Sequence, residues 1–140
     1  MAIDFLERSD AIEECYEFLL GYAAQGLPSD QGSPAGREVR THLEHARDAL
    51  IELPESCRRA IDDHQLAPSG KYDAFCSMLE RDVRDSLVAL ELVLAQPAIS
   101  SQLIDNLNAS SHVRTLLTDL FLFGEILRTR VKVTVAVEGQ

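Results

Sequence analysis

Apolar positions recur at steps of three and four along most of this chain, the period of helices that each bury one face. In the first segment Ile12, Tyr16, Leu19 and Ala23 make the stripe, widened by Cys15, Phe18, Leu20 and Tyr22. Asp10, Glu13, Glu14 and Glu17 take the remaining arc. The pattern predicts a helix over 10–25, with a start as early as Asp4. A loop over 26–34 follows, and Ser33 before Pro34 reads as an N-cap and a first helical residue. Val39, Leu43, Ala46, Leu50 and Leu53 mark a second helix. Pro54 should end or kink it, because proline lacks the N–H and its ring meets the carbonyl of Leu50. A short helix over 55–64 then carries Cys57, Ala60 and Ile61 inward. The third helix, 71–96, has Tyr72, Cys76, Leu79, Val83, Leu90 and Leu94 on its stripe. Pro97 breaks the chain before a second short helix over 98–107.

The last stretch, Val113 to Val137, changes period midway. Val113, Leu117, Leu120, Leu127 and Val131 recur at helical spacing, while Leu122 and Ile126 fall on the other side and leave little polar face. From Val131 the valines alternate with Lys132, Thr134 and Ala136, which predicts a strand over 131–137. The expected architecture is all-α: an antiparallel four-helix-bundle-like domain over 1–130 with two short extra helices, then an extended tail over 131–140. Val88, Leu92, Leu122 and Ile126 exceed what one such core hides, so they are expected at an interface. Val131, Val133, Val135 and Val137 join that expectation. A lone strand leaves its backbone unpaired, so it should pair with a second copy, in preference to disorder or to a partner's sheet.

Charge narrows the partners. A net charge of −10 opposes direct contact with nucleic acid, whose phosphates call for clustered Lys and Arg, and opposes an anionic membrane surface. Arginine greatly outnumbers lysine, a skew that GC-rich bacterial genomes tend to encode. Cys15, Cys57 and Cys76 are odd in number and form no C-x-x-C pair, which suits a reducing cytoplasm. The first residues carry no basic and apolar leader pattern, and no apolar run is long enough for a membrane span.

Three constellations could carry chemistry. Glu38, His42 and His45 share one flank of the second helix, where carboxylate and imidazole could ligate a metal. The run from Arg40 to His45 resembles the R-x4-H motif of the HEPN family of helical ribonucleases. That resemblance covers six residues and implies Arg and His from two protomers facing each other to cleave RNA. Five residues advance a helix by ~500°, which turns Arg40 and His45 apart. Asp119 falls among Leu116, Phe123 and Ile126, where a carboxylate needs a partner; Arg130, His112 and Arg114 are the expected cations. No Gly-rich phosphate loop, H-E-x-x-H or nucleophile elbow is present, so no cofactor is implied. The resulting expectation is a small acidic cytoplasmic protein that acts by protein–protein binding, as adaptor, assembly factor, inhibitor or accessory subunit, alone or as a homodimer. The alternative is a HEPN-like ribonuclease or a carboxylate–histidine metal-binding bundle.

Overall fold

The computed structural model describes the backbone of residues 2–138 and the side chains of residues 4–130. Among them the chain is all-α, with five helices: α1 (Ala2–Ala24), α2 (Pro34–Asp63), α3 (Ser69–Leu94), α4 (Ser101–Ala109) and α5 (Ser111–Glu138). Neighbours run antiparallel. Asp4 meets Arg59 while Phe18 stacks on His42, which sets α1 against α2. Cys57 meets Cys76 while Arg40 bonds the Leu94 carbonyl, which sets α2 against α3. Ser86 bonds the His112 carbonyl while Phe75 stacks on Phe123, which sets α3 against α5. Phe5 meets Phe123 edge-on and closes α5 back onto α1. The result is an up-and-down bundle of α1, α2, α3 and α5, with α4 as a short crosspiece packed mainly on α1. Its core is the expected one: Leu19, Val39, Leu43, Leu50, Leu79, Val83, Leu116, Leu120 and Leu127 are all buried.

Two expectations are corrected. The short helix over 55–64 is not separate, because α2 continues through Pro54 to Asp63. Proline removes one hydrogen bond, but Leu53, Cys57, Ala60 and Ile61 keep one buried stripe across it, and that burial outweighs the lost bond. The strand over 131–137 is not formed either: α5 runs on as helix to Glu138. β-Branched residues cost a helix only a few tenths of a kcal/mol each, whereas a solitary strand forfeits every backbone hydrogen bond. The chain therefore does not change secondary structure at residue 131. The side chains of Val131, Val133, Val135 and Val137 lie outside the described residues.

The end of the bundle holding the α3–α4 link is tied by polar groups. Asp30 accepts from Arg40 Nε at 2.7 Å and from the Ile99 N–H at 2.8 Å. Arg40 also donates to the carbonyls of Leu94 and Gln96 at 3.0 and 2.7 Å. Ser101 Oγ accepts from the Leu27 N–H and donates to the Tyr22 carbonyl, and Tyr22 Oη donates to the Ile99 carbonyl at 2.6 Å. Gly36 lets this loop close, because a Cβ there would run into the Asp30 carbonyl. Ser33 caps α2 by accepting from the Gly36 N–H, with Pro34 in the first turn.

Candidate functional site

Asp119 is only 4 % exposed, on the side of α5 that faces α3. The group within hydrogen-bonding reach is a second acid, Asp82 of α3, rather than the cation expected from the sequence. His112 and Arg114 are exposed instead. Burial, reinforced by the neighbouring Asp82 carboxyl, pushes the Asp119 carboxyl up to about 7. Burial and the adjacent carboxyl both disfavour the ionised form of Asp119. Oδ2 of each acid is buried and meets no hydrogen-bond donor.

Among the described residues the exposed large apolar side chains are Leu20 on α1, Ile51 on α2, Val88 and Leu92 on α3, and Phe121 and Leu122 on α5. Leu122 lies three residues after Asp119 and four before Ile126, so it shares their side of α5, yet it is 54 % exposed. On α3, steps of three and four lead from Asp82 through Asp85 and Ala89 to Leu92, with Val88 beside it. Leu92 is 64 % exposed and Val88 66 %. Ile126 is half-buried and lines a cleft with Ala67, Pro68, Lys71, Tyr72, Phe75, Phe123 and Arg130. That cleft has a volume of about 260 Å³. Three aromatic rings form its floor, with Tyr72 and Phe75 centred 6.4 and 5.1 Å from Phe123. From Lys71 at the cleft to Leu92 the face is ~30 Å long at 1.5 Å per helical residue. The cleft was not legible in the sequence, because Tyr72, Phe75 and Phe123 read there only as core positions.

The other candidates do not converge. His42 is half-buried against the Phe18 ring, with centroids 4.0 Å apart, while Glu38 and His45 are exposed. Among the described residues no three of His, Cys, Asp and Glu gather as a metal-binding group. Arg40 is engaged by Asp30 and two carbonyls, and His45 lines a separate groove with Asp4, Glu7, Arg8, Asp48 and Glu52. The two ends of the R-x4-H run therefore serve different places. No helix among the described residues is long and apolar enough to cross a membrane. In comparisons with known proteins, no family model, no curated protein and no solved structure matches the chain.

Proposed function

We propose that this chain is a non-catalytic binding protein, an adaptor, assembly factor, inhibitor or accessory subunit, that docks a second protein along the α3–α5 face. The carrying observation is that Val88, Leu92 and Leu122 stand more than half exposed on helices whose inner stripes already fill the core, with an aromatic cleft at the Lys71 end of the same two helices. Exposed apolar surface of this extent on a closed bundle supports an interface. A helix laid in the seam would place one apolar anchor in the cleft beside Leu122 and would reach Leu92 ~25 Å further along. Charge supports the same side. Helix α1 carries six acids and one arginine, whereas α5 carries four basic residues against three acids. The seam is thus the less repulsive approach for another acidic chain, a second copy included.

The test uses the full chain and a Leu92→Glu/Leu122→Glu variant in analytical ultracentrifugation at micromolar concentration. Wild-type self-association that the variant loses is the expected result for a two-fold dimer. If the wild type is monomeric, both proteins are used as bait in the source cell. Equal recovery of the same partner by both baits would overturn the assignment of this face.

A further inference from the structure

Cys57 on α2 and Cys76 on α3 meet sulfur to sulfur, Sγ to Sγ at 3.5 Å, in the buried interface between those helices. The third cysteine, Cys15, is apart from them and lines an interior apolar pocket with Ile12, Leu19 and Leu50. A single buried thiol acts as a small hydrophobe and is inert. A second thiol in contact changes that, because it can capture whatever the first becomes. A disulfide has its sulfurs ~2.05 Å apart, so the pair must close by about 1.5 Å. The surroundings also polarise it. Arg58 follows Cys57 in sequence and is held by Glu80 through an Nη2–Oε1 contact of 2.7 Å. The Cys57 thiol, and secondarily the Arg58 guanidinium, hold the Cys76 thiol below its ordinary range, against burial and the more distant Asp73 and Glu80. The same contact, with burial, pushes the Cys57 thiol up. Either sulfur can donate in this contact, and the nearby guanidinium favours Cys76 as the nucleophile with Cys57 as the resolving thiol.

We propose that Cys57 and Cys76 form a reversible dithiol–disulfide site that a small two-electron oxidant of the peroxide class converts, covalently tying α2 to α3. The Cys76 thiolate attacks one peroxide oxygen, breaking the O–O bond, and becomes a sulfenic acid while the other oxygen leaves as hydroxide, which takes up the proton the thiol had released and becomes water. The Cys57 sulfur then attacks the sulfenic sulfur, its S–H proton leaves with the hydroxide as a second water, and the Sγ–Sγ bond forms. The two sulfurs give up two electrons and hydrogen peroxide takes them. A dithiol reductant reverses the step by exchange. Reducing surroundings therefore leave the pair as thiols, the form described here. The residues lie 19 apart in sequence, so the bond closes the whole α2–α3 connection.

The experiment treats the folded full-length protein with hydrogen peroxide, quenches it with an alkylating agent, and reads intact mass and a peptide map. The expected result is a mass loss of about 2 Da for two departed hydrogens. One alkylatable thiol, Cys15, should remain after unfolding, with a Cys57–Cys76 cross-linked peptide that dithiothreitol reverses and a raised Tm. In Cys57→Ser the sulfenic acid on Cys76 should persist and be trapped by dimedone. The wild-type map decides the matter even if that variant folds poorly. Three intact thiols under peroxide that fully oxidises a small reference thiol would overturn the proposal. So would separate oxygen additions without a cross-link, or oxidation whose rate follows only the globally unfolded fraction.

Discussion

Two acids, the buried Asp119 and the half-buried Asp30, respond to pH with opposite sign. Asp119 keeps its proton to about 7 in the folded chain, whereas an unperturbed carboxyl releases it near 3.8. Between those values the native state binds more protons than the unfolded state, so this pair makes stability fall as pH rises, and the effect levels off above about 7. Asp119→Asn should flatten that slope and gain on the wild type, by on the order of 1–4 kcal/mol at pH 8. Urea unfolding between pH 4 and 8 measures this, and parallel curves for the two proteins would refute it. Asp30 behaves in reverse. Burial works to raise its carboxyl, but the Ile99 N–H and the Arg40 guanidinium outweigh it and hold the group below 3.8. Its stabilisation is present above that value and is lost as pH falls through the lowered one. Asp30→Ala at pH 7 strands the Ile99 N–H and loosens Arg40, at an expected cost of about 2–3 kcal/mol by chemical denaturation. Gly36→Ala should weaken the same junction, since the added methyl meets the Asp30 backbone.

At the scale of the helix, both corrections have the same cause: local preference is weak beside a continuous buried stripe or a continuous hydrogen-bond ladder. Pro54 sits in the interior of α2 and leaves the Leu50 carbonyl without its helical donor. Pro54→Ala should therefore stabilise the protein, by about 1–3 kcal/mol, with a higher urea midpoint and an unchanged m-value. A loss of stability would mean that the helix needs its proline for a bend. In α5 the residues after Arg130 continue the helix. Carbon chemical shifts of Val131 to Val137 should carry the helical sign, and extended-chain values would restore the strand reading.

Across the whole molecule, acids gather most densely in the α1–α2 groove, although Ile51 lines that groove too and Asp82 and Asp119 lie in the α3–α5 seam. The α1–α2 groove gathers Asp4, Glu7, Asp48 and Glu52, while the α3–α5 seam carries Leu92, Leu122 and the aromatic cleft with Lys71 and Arg130 at its rim. Leu92→Glu and Leu122→Glu exchange exposed apolar side chains for charged ones and leave the core stripe intact. Their stability should stay within about 0.5 kcal/mol of wild type, because surface changes that break no buried contact have small effects. Association, in contrast, should be lost. Thermal melts beside sedimentation separate the two, and a large drop in Tm would place these side chains in the fold rather than at an interface.

The period of the apolar residues alone determined the helical class, the order of the helices and nearly all of the core, because one-sided burial imprints a spacing of three and four on each helix. It also marked Val88, Leu92 and Leu122 as surplus and Asp119 as a carboxyl in apolar surroundings. Only the tertiary structure decided who meets whom. Asp119 faces Asp82 and not an arginine, Cys57 touches Cys76 across 19 residues, and Arg40 belongs to the clasp around Asp30. Periodicity reports which face of a helix is inward, but a pair across two helices depends on how those helices are shifted and rotated against each other. That offset is set by the packing of the whole core, and no local run of residues encodes it.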